Sequence, residues 1–97
     1  MKRAKVTPRA KLDLFAIWEY IADDSMEAAD KVVAKIKSEF GKLAEMPGMG
    51  HRRIEVSDER YRFWKVYSYL IVYRIDTSPI QIVRVVSGYR DIGKLFE

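Results

Sequence analysis

Arginines carry most of the chemistry this sequence has to offer. Arg62, Arg74 and Arg84 each interrupt an otherwise apolar or aromatic run, and Arg90 follows directly after the last of these runs. A guanidinium is permanently charged and presents a planar fork of donors, which suits it to phosphate or to stacking on a base. Tyr61, Tyr67, Tyr69 and Tyr73 lie among these arginines, and Lys65 adds another cation. A basic, aromatic surface for nucleic acid is one reading. The other is structural, with arginine stems lying over an apolar sheet and pairing with Asp76, Asp91 or helix carboxylates. Spacing alone leaves both open.

Other reactive groups are sparse. His51 is the single histidine, set in the loop Gly48-Met49-Gly50-His51-Arg52-Arg53. With no cysteine and no second histidine, a metal site lacks its usual ligands, and no metal or other cofactor is expected. None of the 6 serines stands in a nucleophile-elbow context. Neither GxxxxGK[ST] nor GxGxxG occurs, so a phosphate-cradling loop has no support. The adjacent carboxylates Asp23-Asp24 are explained by helix capping before any acid–base division of labour is needed.

The elements that must position these residues follow from periodicity. Lys2 to Thr7 reads as a short strand that pairs with something later. Thr7-Pro8 is a helix start, a hydroxyl cap followed by proline at the first helical position. Ala10, Leu14, Ile17, Trp18 and Ile21 then form one apolar stripe of a helix ending near Asp23. A second helix begins at Asp24 or Ser25, with Glu27 as a capping-box partner of Asp24. Ala29, Val32, Val33, Ile36, Phe40 and Leu43 repeat the helical spacing until Met46-Pro47-Gly48-Met49-Gly50 stops it. Tyr61–Tyr67, Tyr69–Ile75 and Ile80–Ser87 have strand composition, separated by a break at Ser68 and a turn at Asp76-Thr77-Ser78-Pro79. Alternation places Arg74 with Leu70 and Val72, and Arg84 with Ile82 and Val86. The fold class is α+β, in the order β-α-α-β-β-β with a short C-terminal tail or helix, the helix hairpin packed on a small, mainly antiparallel sheet.

Length and composition bound the function. The 97 residues suit one domain spanning 1–97, and 48% hydrophobic with 33% charged residues is a globular balance. The net charge of +4 permits an acidic or nucleic-acid partner without requiring one. No apolar stretch approaches the roughly 20 residues of a membrane span. The basic N-terminus lacks the apolar core of a secretory signal, so the expected location is cytoplasmic, with no membrane partner.

Taken over residues 4–92, the order of elements and a set of residues resemble the ParE/RelE superfamily of toxins from type II toxin–antitoxin modules, closest to its ParE, or plasmid-stabilisation, branch. The first helix carries Pro8, Ala10, Asp13, Leu14, Ile17, Tyr20 and Ile21. The second closes on Leu43-x-x-Met46-Pro47-x-x-Gly50. Arg62 then precedes Tyr69-Leu70-Ile71-Val72-Tyr73-Arg74, and Ile82-Val83-Arg84-Val85-Val86 with Arg90-Asp91-Ile92 ends the pattern.

The resemblance implies a growth-arresting toxin neutralised by a cognate antitoxin, with operator DNA contacted only indirectly, through that antitoxin. RelE-like relatives cleave ribosome-bound mRNA and need an acid–base group, often a C-terminal tyrosine or a histidine. ParE-like relatives poison DNA gyrase. Here Phe96 is the aromatic near the end of the tail, and Ser87 stands where many relatives carry histidine. A non-catalytic gyrase poison is therefore expected, with Tyr89, Arg90, Asp91, Lys94 and Phe96 acting on the target. Were the protein a nuclease, Arg62, Arg84 and Arg90 would hold phosphate and Tyr89 would transfer the proton. A corepressor that has lost toxicity is a third possibility. Trp18, Tyr20, Trp64, Tyr73 and Arg74 are the expected antitoxin contacts, along the sheet edge and the groove beside the helix hairpin.

Overall fold

A computed structural model describes residues 3–88 and 92–96. The expected order of elements is present: β1 (Lys5–Val6), α1 (Pro8–Ala22), α2 (Met26–Glu45), β2 (Tyr61–Val66), β3 (Tyr69–Arg74) and β4 (Gln81–Ser87). Single 3₁₀ turns follow α2 at Pro47–Met49 and β4 at Gly93–Phe96. The strands form one sheet in the order β1-β4-β3-β2. β2, β3 and β4 are antiparallel neighbours, and β1 runs parallel to the outer edge of β4.

Both helix starts come from local hydrogen bonding. The Thr7 hydroxyl accepts the Ala10 N–H at 3.2 Å, with Pro8 filling the first helical position, where its missing N–H costs nothing. For α2 the cap is Ser25, whose hydroxyl accepts the Ala28 N–H at 3.1 Å. The capping box expected between Asp24 and Glu27 does not form, because a cap at Ser25 puts Ala28 in the third position. Glu27 instead lies 3.4 Å from Lys31. Between the helices, the Trp18 indole N–H donates to Asp30 at 2.8 Å.

Two apolar cores lie on opposite faces of the sheet. Beneath the hairpin, Ala10, Leu14, Ile17, Ile36, Phe40 and Leu43 pack on Val66, Ile71, Tyr73, Ile82 and Val85. On the far face, Val56, Phe63, Leu70, Val72, Val86 and Ile92 form the second core, with Tyr61, Leu95 and Phe96 against it. The sheet is therefore covered by helices on one side and by a loop and the tail on the other.

One strand departs from simple alternation. The β3–β4 register shifts between Val72, opposite Arg84, and Tyr73, opposite Ile82, leaving Val83 as the extra residue of a bulge. Ile82 and Val86, expected on one face with Arg84, consequently lie in opposite cores.

Beyond the two residues of β1, the outer edge of β4 is completed by helix-side groups. The Thr7 hydroxyl donates to the Val83 carbonyl at 3.1 Å, and Asp13 accepts the Val85 N–H at 3.0 Å. At the other end of the sheet, β2 and β3 turn tightly through Tyr67-Ser68, with Tyr67 at φ 54°. A non-glycine residue rarely adopts that conformation.

Candidate functional site

The helix hairpin leaves a groove along one flank of α1. Val6, Leu14, Phe15, Trp18, Val33 and Phe40 line it, with Lys11 and Lys37 among them, and its volume is about 580 Å³. Phe15 is 60% exposed, although it is a large apolar side chain. It falls beside the stripe of Ala10, Leu14 and Ile17 that enters the core, so α1 is apolar on more than its buried face. That was the available signal in the sequence: a phenylalanine one position past the helical repeat. Trp18 is half-buried here, its indole held by Asp30.

The other residues expected to meet an antitoxin are scattered. Tyr20 is 79% exposed and borders a separate cleft with Asp13, Ser68, Tyr69 and Arg84. The Tyr69 hydroxyl in that cleft titrates above its ordinary value, chiefly through burial and then through the neighbouring Tyr20. Trp64 is half-buried on β2, stacked against His51 at a ring separation of 6.0 Å.

Tyr73 is 0% exposed and belongs to no surface. Its hydroxyl donates to the Pro47 carbonyl at 2.7 Å and accepts the Gly50 N–H at 2.8 Å. Burial pushes that hydroxyl's pKa up, partly opposed by the Gly50 N–H and by Arg62. Tyr73 thus fastens the loop after α2 to the sheet, which removes it from the set of antitoxin contacts.

The arginines are largely engaged within the chain. Arg84 donates to Asp13 from Nε at 2.8 Å and from Nη2 at 3.2 Å, in a part-buried pair at the edge of β4. Arg74 makes a bidentate pair with Asp76 at 2.9 and 2.6 Å, holding that carboxylate below its ordinary pKa, and also lies over the Tyr61 ring. Arg62 donates to the backbone carbonyls of Glu59 and Tyr61 at 2.6 and 2.9 Å. No phosphate-holding array is assembled from these three. The pairing partner for Arg84 escaped the sequence reading because Asp13 lies 71 residues away along the chain.

At the far face, Phe96 packs edge-on against Tyr61, with ring centroids 4.7 Å apart, and against Phe63 at 6.2 Å. Lys94 and Phe96 border a cavity of about 770 Å³ with Asp58, Arg60 and Tyr61. Tyr89, Arg90 and Asp91, the centre of the expected toxicity segment, lie outside the described residues. His51 contributes its backbone, exchanging N–H and carbonyl bonds with Phe63 at 2.7 and 2.8 Å. Among the described residues no cluster of three or more His, Asp or Glu side chains could hold a metal ion, and no helix is long and apolar enough to cross a membrane.

The family model for the ParE toxin of the type II toxin–antitoxin system parDE matches residues 4–92. The chain belongs to the ParE toxin family. A curated relative, Toxin RelE3 of Caulobacter vibrioides, is 27% identical over 85 residues, covering 88% of this chain and 92% of the relative. Among solved structures, a chain of the chromosomal ParDE toxin–antitoxin system from P. aeruginosa superimposes with a TM-score of 0.74 at 26% identity, covering 90% of this chain and 96% of that one. This ParE-family protein is thus a toxin of a type II toxin–antitoxin system, and the family implies an antitoxin partner. The spacing Pro47-x-x-Gly50 has a physical reason in this structure. A side chain at Gly50 would run into the Tyr73 side chain, so anything larger than glycine displaces the tyrosine hydroxyl from the loop.

Proposed function

We propose that this ParE-family toxin acts by binding, with DNA gyrase as its target, and that its antitoxin neutralises it from the α1 groove. The observation that carries the binding mode is the state of the arginines. Arg84 and Arg74 are neutralised by Asp13 and Asp76, and Arg62 is turned onto backbone carbonyls. A nuclease needs such groups free to hold a scissile phosphate, together with an acid or base within reach of it. Phe96 offers neither, and its ring is packed on Tyr61. Gyrase as the target rests on the likeness to the ParE branch.

The groove suits an amphipathic antitoxin segment. Phe15, Trp18 and Phe40 supply an apolar floor, and Lys11 and Lys37 favour a segment carrying acidic residues. On this reading Phe15→Asp and Trp18→Ala each weaken the antitoxin complex, since large aromatics in a groove dominate such interfaces.

The deciding experiment follows gyrase supercoiling and mRNA integrity side by side during induced expression. Gyrase inhibition with intact transcripts is the expected result. Transcript cleavage that disappears in Tyr89→Phe would replace this reading with the ribosome-dependent nuclease. Unimpaired growth without antitoxin would leave only a corepressor role, with operator DNA reached through the antitoxin.

A further inference from the structure

We infer that, in the absence of its antitoxin, the toxin associates with a second copy of itself through an antiparallel pairing of α1 centred on Phe15. Lys11, Leu12, Phe15, Trp18 and Glu19 recur at spacings of three and four along one face of α1. Leu12 is 63% exposed and Phe15 60%, so the middle of this face is apolar and uncovered. Its two ends carry opposite charge, and neither Lys11 nor Glu19 forms an ion pair among the described residues. A two-fold axis passing at Phe15 sets Phe15 against Phe15, Leu12 against Trp18, and Lys11 against Glu19, each of the last two contacts occurring twice. Lys11 and Glu19 stand two turns apart, about 12 Å along the helix, on either side of the aromatic centre.

The wider charge distribution has the same sense. Residues 19–30, which form the tip of the hairpin, include Glu19, Asp23, Asp24, Glu27 and Asp30 and no lysine or arginine. The opposite end is basic on balance: Arg9, Lys11, Lys35, Lys37 and Lys42 outnumber Asp13, Glu39 and Glu45. Of these cations Lys11 and Lys37 form no ion pair among the described residues, whereas Arg9 is paired with Asp13, and Lys35 and Lys42 with Glu39. Side by side and antiparallel, the acidic tip of each copy meets the basic end of the other; in parallel, like charges would meet. Charge of this kind fixes orientation more than it adds affinity.

Size sets the strength. A helix of 15 residues presents a face about 22 Å long. With the flank of α2 included, the pair buries on the order of 1,000 Å² in total, the low end of specific interfaces. The association is therefore weak and reversible. It also covers the groove assigned above to the antitoxin, without depending on that assignment.

The test is sedimentation velocity on the purified toxin without antitoxin, over a range of protein and salt concentrations. A monomer–dimer equilibrium that weakens as salt rises is expected. Phe15→Asp leaves a monomer, and Lys11→Glu weakens the dimer by about tenfold or more, because two like-charged contacts replace two opposite ones. The double exchange Lys11→Glu with Glu19→Lys restores it. All three positions are exposed, so far-UV circular dichroism should show each variant folded. A toxin that stays monomeric at every concentration, a dimer unaffected by Phe15→Asp, or an exchange that fails to restore association would each overturn the inference. A dimer with this mutational pattern, found alongside an antitoxin that ignores the groove, supports self-association and removes the docking assignment alone.

Discussion

Replacing Gly50 with alanine tests how the loop after α2 is tied to the sheet. Gly50 has φ −74° and ψ 166°, a conformation open to any residue. Alanine there should help on backbone grounds alone, by about 0.4–1 kcal/mol through a less flexible unfolded chain. The obstacle is Tyr73. A Cβ at position 50 would stand 2.8 Å from Cε1 and 2.9 Å from Cζ of the ring, and closer still to the hydroxyl oxygen. To make room, the hydroxyl must leave both of its partners, the Gly50 N–H and the Pro47 carbonyl. The two half-buried groups left without a partner sit at the low end of the usual cost, about 1–2 kcal/mol each, so the net effect after the backbone gain is a loss of about 1–3 kcal/mol. For a chain of this size that lowers Tm by about 5–20 °C.

Tyr73→Phe removes the oxygen and should cost about 1–2 kcal/mol by itself. On that background Gly50→Ala should cost less than in the wild type, with a coupling of at least about 0.5 kcal/mol. Thermal and urea denaturation of the two single variants and the double variant complete the cycle. An alanine variant as stable as the wild type, or strictly additive losses, would refute the account of the close approach.

Three further outcomes are expected. Asp13→Asn leaves Arg84 part-buried without its counter-ion and should destabilise by about 2–4 kcal/mol in urea denaturation. Tyr67→Gly relieves the positive φ of the β2–β3 turn and should raise Tm, by an amount matching about 1 kcal/mol. The Asp58 carboxyl is held down at about 2 by its hydrogen bonds from Arg60. Because its folded pKa lies below the unfolded value, the pairing stabilises the loop fully above about pH 4 and is lost as pH falls toward 2. A carboxyl-detected NMR titration should find that depressed value and see it return to the ordinary range in Arg60→Ala.

How much of this was legible in the sequence depended on the range of the interaction. Thr7-Pro8 marks one helix start and Asp24-Ser25 narrows the other to two residues, because a cap acts within three residues. The limits of β2, β3 and β4 followed aromatic and β-branched runs to within a residue, whereas the strand expected over Lys2–Thr7 is, among the described residues, Lys5–Val6. The Val83 bulge was not legible, since alternation assumes that every residue of β4 has one partner on β3. Long-range pairing was equally hidden: Asp13 reads as an ordinary polar position of α1 until β4 brings Arg84 beside it. Tyr73 was misplaced as a surface anchor because an aromatic in a strand has the same pattern whether it meets a partner or the core. The tail was only half readable. Lacking periodicity, Ile92, Leu95 and Phe96 gave no sign that they cover the far face of the sheet, and a segment expected to reach for a target is, over these residues, packed against its own domain.

The completion of β4 by Thr7 and Asp13 has a kinetic consequence. These bonds join positions 71–76 residues apart, and contacts of such separation form only after a large loss of chain entropy. The helix hairpin and the β2–β3 turn are local and can assemble early, while the β4 edge stays open until the two ends of the domain meet. Asp13 should then act as a latch that closes late. Its removal should therefore leave the folding rate nearly unchanged and appear as faster unfolding, which makes this one carboxylate a control on how long a folded toxin molecule lasts.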